Sequence, residues 1–116
     1  MAKVESLGEF EQTVLLAIVH VGAEAYGVTV RQEIERRTGR DVSIGALYTA
    51  FDRLERKGYL RSRVSDPTPQ RGGRAKRHLN VTAAGIRALR RSRDLLDRMW
   101  KGMSAARLKP AHGGDA

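Results

Sequence analysis

The apolar residues of this chain change period twice, and that change limits the fold more than any other feature. Up to residue 56 they recur every three or four positions, across 59–65 and 75–81 they alternate, and from 82 to 103 the three- and four-residue spacing returns. Periods near 3.6 and 2 belong to helices and strands respectively. The order is therefore helices, one strand pair and a final helix, which makes the chain mainly α with a small β-hairpin.

Local signals set the ends of these elements. Ser6-Leu7-Gly8-Glu9 has the spacing of a capping box, so a first helix is expected from there, with Phe10, Val14, Ala17, Ile18 and Val21 on one face and Gly22 as its break. A second helix is expected from Gly27, facing Val30 and Ile34 inward and stopping at Gly39. Ser43 is a good N-cap for a third, whose inward stripe is Ile44, Leu47, Tyr48, Phe51 and Leu54 and whose stop is Gly58. Its other face carries Gly45, Ala46, Thr49, Arg53 and Arg56, small and polar in the first turn and basic later.

The two alternating segments form a hairpin joined by Asp66-Pro67-Thr68-Pro69-Gln70-Arg71-Gly72-Gly73-Arg74, longer than most hairpin loops. Thr82 caps the last helix, in which Ile86, Leu89, Arg93, Leu96, Trp100 and Met103 recur at alternating spacings of three and four. Gly85, Ala88, Ser92, Leu95 and Met99 form a second stripe beside them. A helix with two such stripes needs two surfaces, its own domain and one more, and a second copy of the chain is the simplest second surface.

Charge narrows the partner. The chain has 22 Lys and Arg against 13 Asp and Glu, a net charge of +9, which favours polyanions. Residues 1–30 hold one Lys against four Glu, whereas 61–80 hold six basic side chains against one Asp, so the excess gathers around the hairpin loop. With no cysteine there is neither a disulfide framework nor thiolate metal ligation, consistent with a reducing cytoplasm. The longest apolar run, residues 14–19, is far too short to span a bilayer, so no membrane partner is expected. His20, His78 and His112 are scattered without metal-ligand spacing, and Ser43 and Ser62 have no histidine partner in a recognisable motif. No catalytic residue, metal or cofactor is expected.

Helix, helix, turn, helix, basic hairpin and long helix is the order of a winged helix-turn-helix with an appended dimerisation helix. There the third helix enters the major groove of double-stranded DNA and the hairpin loop, the wing, lies along the phosphates. The Gly72-Gly73 pair lets Arg71 and Arg74 approach the sugar-phosphate surface, and Lys76 and Arg77 extend the footprint. As an isolated loop the same residues would be an ordinary solvated turn.

The segments GEFEQTVLLAIVHVG, AYGVTVRQEIERRTGRDVSIGALYTAFDRLERKGYL and RGGRAKRHLNVTAAG resemble the PadR family of bacterial transcriptional regulators, in its short form with one C-terminal dimerisation helix. The resemblance runs from about residue 7 to 103. It implies a homodimer that binds an inverted-repeat operator, usually to repress. It divides the chain into a DNA-binding domain at 1–81 and a dimerisation helix at 82–103, and residues 104–116, with little to pack, are expected to be a flexible tail. Carried over by position, it places Tyr26, Ser43, Gly45, Ala46, Tyr48, Thr49, Arg53, Arg71, Gly72, Gly73, Arg74 and Lys76 at DNA. It places Ile86, Leu89, Arg93, Leu96, Met99, Trp100 and Met103 at the dimer interface.

Two positions have double readings. Tyr48 lies on the apolar stripe, so its ring is either core with a hydroxyl at a phosphate or a direct DNA contact. One resembling regulator holds planar drugs between aromatic rings at its dimer interface. Counted from Thr82, that ring position falls on Leu96 here, with Trp100 one turn later, so the pair is either a site for a hydrophobic small-molecule effector or an interfacial anchor. Two other functions fit the composition: a basic architectural or RNA-binding protein without sequence preference, and a ligand-binding module built on the dimer interface.

Overall fold

Side-chain oxygens, buried apolar stripes and left-handed glycines define the elements of the computed structural model, which describes residues 7–64 and 76–111. The first helix, α1 (Glu9–Val21), begins at Gly8, whose amide donates to Glu11 Oε1 at 3.0 Å. The start expected from a Ser6–Glu9 pair is therefore displaced. Glu11 takes the reaching-back position while Glu9 turns outward to Arg40 Nη1, and Ser6 lies outside the described residues. Gly22 ends α1 at φ 78° and opens a 3₁₀ turn (Gly22–Glu24).

Helix α2 (Gly27–Thr38) stops at Gly39, a left-handed residue whose amide donates to the Glu35 carbonyl. Helix α3 (Ile44–Arg56) starts where Ser43 Oγ accepts from the Ala46 amide at 3.0 Å. Its inward face is Leu47, Phe51 and Leu54, joined by Ala50. Tyr48 leaves the stripe: it stays 39% exposed because it lies at the edge of the buried face.

Strands β1 (Leu60–Val64) and β2 (Arg77–Val81) pair antiparallel, from Leu60 opposite Val81 to Val64 opposite Arg77. Leu79 also donates its amide to the Ala25 carbonyl at 2.9 Å, which ties the hairpin edge to the residue before Tyr26. The core draws on every layer: Val14, Leu15 and Ile18 of α1, Val30 and Ile34 of α2, the α3 face, Leu60, Leu79, and Ala88 and Leu89 of the last helix. Six fully buried aliphatic side chains, Val14, Leu15, Val30, Ile34, Leu47 and Leu54, supply on the order of 9–18 kcal/mol of gross apolar burial, offset by ordering entropy.

Helix α4 (Ala83–Trp100) is joined to this body at its first turn. Thr82 Oγ1 accepts from the Gly85 amide at 3.0 Å and donates to the Gly58 carbonyl at 2.7 Å, and the Thr82 amide donates to the Tyr59 carbonyl. The helix ends at Trp100, short of the expected Met103, because the chain reverses at Gly102 with φ 84°. Beyond it the amides of Arg107 and Leu108 donate to the Ser104 carbonyl, a turn within the segment expected to be loose.

Gly85 marks the closest approach of α4 to the hairpin. A Cβ there would lie 2.4 Å from the Tyr59 carbonyl oxygen and 2.7 Å from Val81 Cγ1. Alanine is the better helix former by about 1 kcal/mol, but the clash is with backbone and forces a shift. Gly85→Ala should therefore lower stability by a net ~2 kcal/mol, seen as a melting temperature roughly 10 °C lower at fixed protein concentration. A melting point at or above the parent's would show that α4 can move outward freely.

Candidate nucleic-acid interface

With Leu47, Phe51 and Leu54 held in the core, the opposite side of α3 must face outward. Ser43, Gly45, Ala46, Thr49, Arg53 and Arg56 are all exposed there. The small side chains of the first turns form one wall of a cavity of about 470 Å³, closed on the other side by Gly8, Phe10 and Glu11 and reached at its end by Arg53. The helix thus shows a narrow, contoured flank at its start and guanidinium groups further along.

Tyr48 combines both of its readings. Its ring meets Phe51 edge-on, with centroids 5.6 Å apart, and its hydroxyl reaches the first turn of α2, where a Cβ on Gly27 would lie 3.1 Å from it. The ring spaces α2 from α3 and keeps an accessible edge. Tyr26, half-buried ahead of α2, donates its amide to Thr29 Oγ1. Lys76 extends over the Tyr26 ring at 4.4 Å and donates to its hydroxyl at 3.3 Å, while His78 meets the same ring edge-on. Lys76, placed on the hairpin, and Tyr26, placed on the helix-turn-helix, are therefore adjacent. Arg71, Gly72, Gly73 and Arg74 lie outside the described residues.

Ion pairing sorts the basic residues. Arg36 and Arg37 both bind Glu33, Arg31 binds Asp41, and Arg40 binds Glu9. Arg53, Arg56, Arg61 and Arg63 have no carboxylate within ion-pair distance among the described residues. Arg77 departs from the expected footprint. It bends back to Asp52 Oδ1 at 3.1 Å and Glu55 Oε1 at 2.5 Å, so its charge is met inside the protein. The clue was available: Asp52 and Glu55 stand one turn apart on an otherwise basic stretch of helix.

Lys57, just past α3, binds both oxygens of Glu11 at 2.9 and 3.0 Å. Glu11 is 6% exposed, a buried carboxylate that the sequence reading missed. Burial alone would raise its pKa. The Gly8 amide, the Lys57 ammonium and the Arg53 charge outweigh that and hold it below the ordinary carboxylate value.

On α4 the positions expected at a dimer interface divide. Leu89 is part of the chain's own core and Ile86 packs against it, whereas Arg93 is exposed beside Asp97. Leu96, Met99, Trp100 and Met103 are exposed, together with Leu95 and Leu108, and a shallow hollow of about 230 Å³ lies among Met99, Trp100, Met103 and Leu108. On α1, Leu16 and Val19 are about half exposed. Among the described residues no three His, Asp or Glu side chains gather as metal ligands, and no helix is long and apolar enough to cross a membrane.

The family model described as the transcriptional regulator PadR-like family matches residues 15–91, from the middle of α1 to the middle of α4. The chain belongs to the PadR-like family. Solved structures agree on the fold. A transcriptional regulator from Clostridium thermocellum is 22% identical with a TM-score of 0.65, over 78% of this chain and 85% of that one. A PadR family regulator from hypervirulent Clostridium difficile is 21% identical with a TM-score of 0.64, over 79% and 92%. A winged-helix DNA-binding protein from STIV is 21% identical with a TM-score of 0.63, over 86% and 100%. No curated protein matches the chain. In this PadR-like chain α2 and α3 are the helix-turn-helix, β1 and β2 the stem of the wing, and α4 the helix expected at the C-terminus.

The Glu11–Lys57 pair gives the PadR-like domain a defined response to acid. A carboxylate whose folded pKa is lowered adds stability that is complete above the unfolded value, near 4.5, and is lost as pH falls through the folded one. Glu11→Gln removes that titration and the charge that the Lys57 ammonium meets at residue 11. It should cost about 2 kcal/mol in urea unfolding at pH 7, with the difference from the parent shrinking below about pH 4. A gap of equal size at pH 3 and pH 7 would show that the pair contributes nothing through its charge.

Proposed function

We propose that this PadR-like chain is a homodimeric, sequence-specific DNA-binding regulator that represses by occupying an inverted-repeat operator. The observation that carries the reading is the exposed flank of α3, small and polar from Ser43 to Thr49 and then basic at Arg53 and Arg56, with Lys76 at the adjacent wing stem. Gly45 and Ala46 let the start of α3 approach base edges. Arg53 lies at the later turns, where a recognition helix leaves the groove, and serves the backbone. Tyr26 and Tyr48 frame the helix start, and Arg71, Gly72, Gly73 and Arg74 of the wing follow the phosphates.

In this reading residues 1–81 bind DNA, α4 and the residues to 103 dimerise, and 104–116 form a tail. The apolar side chains exposed on the second half of α4 support a twofold contact through Leu96, Met99, Trp100 and Met103, with Arg93 at its margin. Two recognition helices then meet successive major grooves about 34 Å apart. The hollow beside Trp100, at about 230 Å³, is smaller than the usual small-molecule pocket. Within one chain it suits a packed anchor better than an effector site.

The deciding experiment compares duplex DNA from upstream of the protein's own gene with a shuffled duplex of equal length at two salt concentrations. Preference for the upstream duplex should persist at the higher salt, because only the phosphate contribution falls with salt, by about 0.9 in log–log slope for each neutralised phosphate. Equal binding that collapses with salt at this and at genome-selected duplexes would favour a non-specific architectural role. The interface has its own check. Leu96→Asp places two carboxylates in the proposed seam and should shift sedimentation from dimer to monomer, and an intact dimer would put the contact elsewhere.

A further inference from the structure

We infer that Arg77 is a positioning residue: its side chain locks the stem of the wing to the recognition helix, and the protein's discrimination between DNA sequences depends on that lock. The inference rests on the DNA-binding reading above and assigns this arginine a role other than phosphate contact.

The two ends of the hairpin are held very differently. At one end Leu60, opposite Val81, is buried in the core, and the Tyr59 carbonyl accepts from the Thr82 amide across the entry to α4, with Leu79 buried at the middle of β2. At the other end the last described pair is Val64 opposite Arg77, where Val64 is 65% exposed and adds nothing to the core. The wing loop leaves from that pair. The orientation of that pair sets where the two strands hand over to the loop.

Arg77 is what ties that pair to α3. Its guanidinium reaches Asp52 and Glu55 and lies over the Tyr48 and Phe51 rings at 5.9 and 5.7 Å. These four residues occupy successive turns of one α3 face, so a single side chain from β2 spans the helix. Ser62 on β1 donates to the same Glu55 carboxylate, which joins both strands to one acceptor. Glu55 is held below the ordinary carboxylate range by the Ser62 and Arg77 hydrogen bonds and remains charged at neutral pH. Lys76 over Tyr26 steadies the stem toward α2, at a separate place. A guanidinium already bound to two carboxylates and set on two rings is a poor phosphate ligand, since engaging DNA would strip away both sets of contacts.

The test uses the full chain with Arg77→Gln and with the reciprocal exchange Arg77→Glu plus Glu55→Arg, which rebuilds the pair in reverse. For the glutamine variant the ratio of upstream to shuffled binding should fall about tenfold while the salt slope stays as in the parent. Amide exchange of the free protein should quicken in β1 and β2 and not in α1. The exchange variant should recover both the ratio and the slow strand amides. A phosphate contact would behave otherwise: the slope would drop by about 0.9, both duplexes would weaken equally, and a glutamate at 77 would make matters worse. That pattern, or unchanged strand exchange in Arg77→Gln, overturns the inference. A parent protein with no preference between duplexes defeats the regulator reading instead, and the exchange measurements still decide the lock.

Discussion

Leu47, Phe51 and Leu54 have no exposed surface, and their burial fixes the rotation of α3 about its own axis. Side chains on a helix are set about 100° apart, so seating three of them in one core leaves no freedom for the rest. Ser43, Gly45, Ala46, Thr49 and Arg53 are turned outward as a result, and Asp52 and Glu55 are turned toward the hairpin. The same packing that stabilises the domain therefore decides which groups it can show to a partner. Tyr48 sits where the two faces meet and serves both, its ring against Phe51 and its edge in solvent.

Charge is organised by the same geometry. Some of the acidic residues pair within one helix, as Glu33 does with Arg36 and Arg37, and others pair with cations that hold elements together. Glu11 with Lys57 joins the start of α1 to the end of α3, and Glu9 with Arg40 joins α1 to the turn before Ser43. Asp52 and Glu55 with Arg77 join α3 to the wing stem. Exposed pairs of this kind add little stability, but the Glu11 and Arg77 pairs are partly or wholly withdrawn from water and fix relative orientation as well. Of the cations left without a carboxylate among the described residues, Arg53 and Arg56 lie on the outward side of α3, Arg61 and Arg63 on β1, and Arg87, Arg90, Arg91 and Arg98 on α4.

Much of this was readable in the residues, for reasons that differ by element. Ser43, Thr82, Gly39 and Gly58 act through chemistry within three or four residues of themselves, and local signals of that kind survive in a sequence. The α3 stripe was legible because helical period and burial coincide there. The start of α1 was misplaced by two residues because Ser6–Glu9 and Gly8–Glu11 have the same spacing. Glu11 is also held by Lys57, 46 positions away, a partner that no local pattern contains. The ion pairs of Arg77 were illegible for the same reason. Its position in a basic run pointed to DNA, and its partners on α3 become neighbours only when the hairpin folds back. The family resemblance named the right fold but could not show which arginine is occupied.

Helix α4 shows how far one chain can account for itself. Its first two turns are secured by Thr82, Gly85, Ala88 and Leu89, all tied to the hairpin and the core. From Arg93 to Trp100 every residue is exposed, and the apolar ones include Leu96 at 55%, Met99 at 73% and Trp100 at 58%. A projecting segment of that length is below the size at which an isolated helix is stable in water, and an apolar cluster of this kind exceeds the scattered exposure normal for a monomer. Its propensity alone does not secure it. Whatever covers Leu96 and Trp100 also holds the second half of α4 helical, so in the proposed dimer folding of that segment and association are one event.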